Sequence, residues 1–137
     1  MKIIGRVEKI SFLNWEIEEL PIKIDTGAYT SSIHCNHIIE QDGTLEFKLL
    51  CPGTKKYNGK LIRTTSYSKK VIRSSNGQKE ERYIVDTTVL FFGKKYKMKF
   101  SLADRSKMTI PALMGRKFLT KKFIVDVSQE NITSKKT

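Results

Sequence analysis

Asp25, in Asp25-Thr26-Gly27-Ala28, is the residue of this sequence best suited to catalysis. A carboxylate can take a proton from water and so make a nucleophile, acting as a general base. Hydrolysis of a peptide bond also needs a proton delivered toward the carbonyl oxygen. Two neighbouring carboxyls that share one proton supply both functions, because their like charges oppose simultaneous ionisation. The chain holds one Asp-Thr-Gly and no Asp-Ser-Gly. The simplest complete pair therefore sets Asp25 of one copy against Asp25 of a second across a two-fold axis, making a homodimer part of the chemistry. Gly27 lacks the side chain that would block close backbone approach at such a turn.

Metal binding is the other chemistry to weigh. His34, Cys35 and His37 are the one close cluster of soft ligand types. In an extended segment Cys35 and His37 share a face while His34 points away, an awkward geometry for three ligands. The sequence has neither His-Glu-x-x-His nor a Walker-type phosphate loop. A zinc-dependent hydrolase using His34, Cys35 and His37 is the weaker alternative, and no cofactor is expected.

The segments that must hold these residues read as short strands. Ile3 to Ile10 is rich in β-branched residues. Leu20, Ile22 and Ile24 alternate with Pro21, Lys23 and Asp25, a two-residue period that runs directly into the Asp-Thr-Gly turn. Pro21 argues against a central, fully paired position there. Ser31 to Ile39 and Thr44 to Leu49 flank Asp42-Gly43 as a hairpin. A loop over Cys51 to Lys60 precedes strands at 60–64 and 67–73. Asn76-Gly77 suits the positive φ angles of a tight turn and predicts a projecting hairpin joining Val71-Ile72-Arg73 to residues 82–85. Residues 87–92 and 96–102 flank Gly93-Lys94-Lys95 as a further hairpin, with either Tyr96, Met98 and Phe100 or their alternates facing inward. Pro111 to Gly115 starts as a buried strand, residues 116–121 make one or two helical turns, and residues 123–127 return to strand. Many short strands, tight turns and barely one helix predict an all-β closed barrel or sandwich.

At 137 residues the chain fits one domain, expected over 1–128, followed by a polar, flexible tail at 129–137. Lys and Arg number 26 against 14 Asp and Glu, a net charge of +12 that draws the protein toward polyanions, acidic peptides or an anionic surface. The lysine pairs at 55–56, 69–70, 94–95 and 121–122 read as a solvated face. No zinc finger or single-strand aromatic motif accompanies them, so a specific nucleic-acid partner is not expected. No apolar run reaches the ~20 residues of a membrane helix. Two cysteines in a chain of this size suit a reducing compartment, so a cytoplasmic location is expected.

Asp25-Thr26-Gly27-Ala28, followed at a distance by Ala112-Leu113-Met114-Gly115-Arg116, resembles the two signature segments of retroviral-type aspartic proteases. Residues 23–28, Thr30-Ser31-Ser32-Ile33-His34, residues 71–77, Leu102-Ala103-Asp104-Arg105 with Met108, and 111–119 narrow the resemblance. They are similar to a bacterial and archaeal family named ATP-dependent zinc proteases, retropepsin-like proteins associated with RimK/LysX-type ligases. The resemblance implies a retropepsin-like closed β-barrel with one short C-terminal helix and peptide-bond hydrolysis at Asp25. It implies that Thr26 ties the paired turns together, that Ala28 borders the cleft, and that His34 and Gly115 support the site. Arg73, Ser74, Ser75, Asn76 and Gly77 would form a flap, with Arg73, Arg105 and Met108 near substrate. Arg73 and Arg105 can equally pair with Asp86, Asp104 or Asp126. Tyr29 stands where the family commonly has a basic residue, and Cys35 where a small one is usual. Association with ATP-grasp ligases that append acidic residues makes glutamate-rich peptides the expected substrate, with such a ligase as a functional partner. A non-catalytic peptide-binding module on the same fold is the alternative from a different class.

Overall fold

The computed structural model describes residues 1–73, 77–104 and 107–133, leaving aside the side chains at 72 and 73. Its strands are β1 (Lys2–Phe12), β2 (Ile17–Asp25), β3 (Ser31–Gln41), β4 (Thr44–Leu49), β5 (Ile62–Thr64), β6 (Tyr67–Arg73), β7 (Lys79–Phe91), β8 (Lys94–Ala103), β9 (Ala112–Gly115) and β10 (Phe123–Glu130). One short helix, α1 (Arg116–Leu119), joins the last two strands. No helix among the described residues is long and apolar enough to cross a membrane.

Six strands close a ring in the order β1-β2-β9-β3-β8-β7, and β1 completes it by pairing Ser11 with Leu90 and Phe12 with Val89. Closure removes the unpaired edges that an open sheet of this size would expose. Outside the ring, β10 runs parallel to β1, β6 pairs with β7, and the β4–β5 pair extends β3. The expected β-barrel with a short helix is the observed architecture.

Alternation decides which side chains fill it. Leu20, Ile22 and Ile24 of β2, Ala112 and Met114 of β9, and Met98, Phe100 and Leu102 of β8 all point into the core. This settles the inner face of β8 in favour of the Met98 and Phe100 set. Phe12 stacks on Trp15 at 5.2 Å and meets Phe100 edge-on at 5.2 Å, and Trp15 meets Phe47 at 5.8 Å. Fully burying each such side chain is worth about 1.5–3 kcal/mol. A second aromatic group, Phe91, Tyr96, Phe118 and Phe123, fastens α1 and the start of β10 to the β7–β8 hairpin.

Four local expectations change. Pro21 sits in a central strand, opposite Lys9, because the β9 ladder begins one residue later at Ile22 and asks for no donor from Pro21 on that side. The strands read separately at 82–85 and 87–92 are one, β7, with Asp86 paired to Lys99 in mid-strand. The turn after β7 is Phe92-Gly93, at φ 52° and 75°, like Asp42-Gly43 at 53° and 75°; both are the positive-φ pairs that two-residue hairpins require. Residues 129 and 130, expected in the polar tail, complete β10 beside β1.

The order continues past β10 because of Glu8, whose side chain is fully buried. Its carboxylate accepts hydrogen bonds from Gly5 N at 2.7 Å, Ile132 N at 3.3 Å, Thr133 N at 3.1 Å and Thr133 Oγ1 at 2.8 Å. A buried carboxylate persists only with such a set of donors. Replacing Glu8 by Ala leaves three backbone donors orphaned and is expected to cost about 3 kcal/mol by urea unfolding. Thr133→Ala should cost about 1 kcal/mol, and the double variant less than the sum, since both remove the same contacts.

Candidate active site

Strand β9 lies between β2 and β3, and this insertion builds the site. It runs parallel to β2, pairing Ile24 with Met114 and Asp25 with Gly115, and antiparallel to β3, pairing Ile33 with Ala112 and Ser32 with Leu113. Asp25 ends β2 on the face opposite the buried Ile22 and Ile24, so its carboxylate is only partly buried while its backbone is paired.

The turn beyond it is held from both sides. Asp25 Oδ1 accepts the Gly27 amide at 3.0 Å, and the Ala28 amide donates to the Asp25 carbonyl at 3.2 Å. The first helical amides, Arg116 N and Lys117 N, donate to the carbonyls of Ala28 and Tyr29 at 2.8 and 3.0 Å. These amides have no partner within their own helix, so the turn satisfies both. Gly115 makes the approach possible: a Cβ there would lie 2.6 Å from Tyr29 O and 2.7 Å from Thr30 C. Its amide donates to Ser31 Oγ at 3.0 Å in a buried bond. Arg116 covers the outside, donating to Gly27 O at 3.3 Å with its guanidinium 5.4 Å from the Tyr29 ring centroid.

Asp25, Thr26, Gly27, Ala28 and Gly115 thus share one small volume. Thr26 and Gly27 are exposed, and Ala28 is partly buried. His34 lies further along β3, buried, with its amide donating to Pro111 O at 2.8 Å and Nδ1 3.8 Å from Asp104 Oδ1. Met108 is exposed on the segment before β9, and Gly77 is exposed at φ 84°. Ser74, Ser75, Asn76 and Arg105 lie outside the described residues, as does the side chain of Arg73. Of the acids open to Arg73 and Arg105, Asp86 accepts Lys99 Nζ at 2.7 Å and Ser66 Oγ at 2.9 Å. Asp126 accepts Gln129 Nε2, Ser128 Oγ and Ser128 N.

The metal alternative fares differently. A bulge between Cys35 and His37 breaks the simple alternation expected there. Cys35 is buried and donates to His37 O at 3.2 Å, and burial pushes its thiol pKa up, away from the thiolate a metal needs. The His37 ring meets Glu46 at 3.2 Å. Among the described residues no three His, Cys, Asp or Glu side chains converge on a metal position.

Sequence reasoning missed Ser31, Arg116 and a basic cavity. Thr30 precedes the Ser31–Phe100 pair, so Thr30 and Lys99 continue across the sheet the row that begins at Asp25 and Gly115. Both line a cavity of about 790 Å³ whose walls carry six basic side chains, Arg63, Lys70, Lys97, Lys99, Lys117 and Lys122, and one acidic one, Asp86. The Lys99 ammonium holds the Asp86 carboxyl below its ordinary range. The alternation of Lys97 and Lys99 with Met98 and Phe100 was the available signal.

A six-stranded closed barrel carrying a single Asp-Thr-Gly turn, braced by a hydrophobic-hydrophobic-Gly strand threaded beside it, is the architecture of a retropepsin-like protein. The chain belongs to the RimB-like family, described as retropepsin-like aspartic endopeptidase RimB, whose family model matches residues 3–136. It is 28% identical over 131 residues to a probable alpha-L-glutamate ligase of Shewanella pealeana, covering 93% of this chain and 29% of that one. A probable alpha-L-glutamate ligase of Desulfotalea psychrophila is 28% identical over 129 residues, covering 91% and 28%. The chain therefore spans less than a third of these relatives. Among solved structures, a Legionella pneumophila protein of unknown function superposes with a TM-score of 0.74 at 25% identity, covering 96% of this chain and 98% of that one.

Because the backbone faces Gly115 at both contacts, a methyl group there cannot be absorbed by side-chain movement. Gly115→Ala is expected to cost about 1–3 kcal/mol in chemical denaturation and to disturb the Asp25 turn, read as altered amide shifts at residues 27–31.

Proposed function

We propose that this chain is an endopeptidase whose site is completed by a second copy, and that it hydrolyses peptides rich in acidic residues. The observation that carries the first part is the single Asp25 carboxylate at a braced turn, with one intrachain donor at Oδ1. Two such turns facing one another would bring the carboxyls together to hold one proton. The ionised member takes a proton from water as the oxygen attacks the substrate carbonyl, and the neutral member delivers its proton to the carbonyl oxygen. Collapse of the tetrahedral species then passes a proton to the departing amine, and the pair returns to its shared-proton state. The rigid turn keeps the carboxylates oriented, which lowers the entropic cost of reaching that geometry.

The basic cavity supports the acidic preference. It borders the Asp25 row, and with Lys99 paired to Asp86 and Arg63 to Glu46, Lys70, Lys97, Lys117 and Lys122 are the described lining residues that carry its remaining cationic charge. A field of one sign raises the local concentration of oppositely charged substrate. The net charge of +12 and the likeness to proteins named probable alpha-L-glutamate ligases point the same way. In this reading the peptidase acts with an ATP-grasp glutamate ligase on the same glutamate-rich peptides in the cytoplasm. Arg73, Ser74, Ser75, Asn76 and Gly77 serve as the flap in this reading.

Asp25→Asn is expected to abolish turnover of an acidic peptide while changing stability by no more than about 0.5 kcal/mol. Sedimentation should show activity confined to the dimer. A monomer that cleaves at full rate would refute the paired site. Lys97→Glu combined with Lys117→Glu should raise KM for a glutamate-rich peptide about tenfold, near 1.4 kcal/mol, and leave a neutral peptide unaffected. Equal effects on both peptides would remove the case for charge selection.

A further inference from the structure

Among the described residues strand β6 pairs in the sheet with β7 alone, yet one of its side chains, Lys70, lines the basic cavity. Residues 79–83 of β7 likewise pair only with β6, because the ladder to β8 begins at Ile84. This part of the hairpin stands off the barrel wall, and something must fix where Lys70 is presented.

Glu40, near the end of β3, meets the other face of the same hairpin. Its carboxylate accepts Tyr67 OH at 2.5 Å, Lys69 Nζ at 2.6 Å and Tyr83 OH at 3.2 Å. Tyr67 and Lys69 come from β6 and Tyr83 from β7, so one carboxylate grips both arms. The two tyrosine rings meet edge-on at 6.1 Å, and Lys69 Nζ lies 5.7 Å from the Tyr83 ring centroid. Alternation then carries the effect across the strand: with Tyr67 and Lys69 directed to Glu40, Lys70 is turned to the opposite face.

We propose that Glu40 is a positioning residue for substrate binding, a latch that sets the hairpin so that Lys70 faces the cavity. The proposal rests on the reading of that cavity as the place where acidic peptide binds. The ionisable groups facing Glu40 are Tyr67 and Lys69 from β6 and Tyr83 from β7, with Glu81 of β7 beyond them, 3.9 Å from Lys69. From β4 and β5 the aligned residues are Leu45 and Thr64, neither of which titrates.

The latch depends on pH in a defined direction. Hydrogen bonds from Lys69 and Tyr67 hold the Glu40 pKa below its ordinary value. Such a group contributes fully above the unfolded carboxylate pKa, and its contribution fades as pH falls through the lowered folded value. Amide exchange, corrected for its intrinsic pH dependence, should therefore show protection at 67–71 and 79–83 lost at acid pH before protection of the barrel strands. Glu40→Gln should remove the pH dependence and lower hairpin protection about tenfold at neutral pH, with Tyr67→Phe showing the same pattern at smaller amplitude. With a glutamate-rich peptide, Glu40→Gln should raise KM about tenfold while kcat stays within about twofold, the signature of lost binding rather than lost chemistry.

Unchanged hairpin protection in Glu40→Gln overturns the proposal, and so does protection lost equally across the barrel, which would mark Glu40 as a general stabiliser. A fall in kcat at constant KM also overturns it. If the unmodified protein cleaves no acidic peptide, the functional reading fails on its own, and the exchange data still decide whether Glu40 holds the hairpin.

Discussion

The site depends on one steric fact: the backbone of Tyr29 and Thr30 comes so near position 115 that a glycine is required there. A Cβ at that point would fall within 2.7 Å of three backbone atoms. The contact lets the first two amides of α1 bind carbonyls of the Asp25 turn, and it lets β9 pass between β2 and β3. The carboxylate takes the Gly27 amide, and main-chain bonds to α1 and pairing with β9 hold the turn that carries it, so its geometry follows from the barrel. Preorganisation of that kind is what acid–base chemistry demands, since the groups must be aligned before reaction.

The remainder of the molecule divides into a rigid ring and parts hung on it. The ring is closed and filled with interlocking aromatic side chains, so it resists deformation. Strand β6 with residues 79–83 of β7, the β4–β5 pair and β10 extend beyond it through their ladders, with added polar contacts from Glu40 to the hairpin and from Glu8 to residues 132 and 133. Buried or half-buried carboxylates with several donors thus recur as fasteners where strand pairing alone is incomplete.

Much of this was legible in the sequence because it is local. Asp42-Gly43 announced a positive-φ turn, the alternation of Leu20, Ile22 and Ile24 fixed a buried face, and Asp-Thr-Gly and Leu113-Met114-Gly115 are the two segments that the fold sets side by side. What escaped notice depends on partners distant in the chain. Glu8 reads as an ordinary surface acid until Thr133 closes over it, 125 residues away. Glu40 likewise gains its meaning from Tyr83, 43 residues on. Lys97 and Lys99 look like solvated residues until the fold sets them beside Lys117 and Lys122. The continuity of β7 through Asp86 was hidden because a charged residue in mid-strand resembles a break, whereas Lys99 and Ser66 satisfy it.

The parallel pairing of β1 with β10 has a mechanical consequence. Lys2 lies opposite Phe123 and Gly5 opposite Asp126, so the two strands run alongside each other in the same direction. Tension applied outward through Lys2 and Glu130 would load their ladder in shear, with its bonds sharing the strain at once instead of opening singly as in an unzipped hairpin. In a longer polypeptide tugged from either side, this module would hold better than one whose end strands peel apart bond by bond.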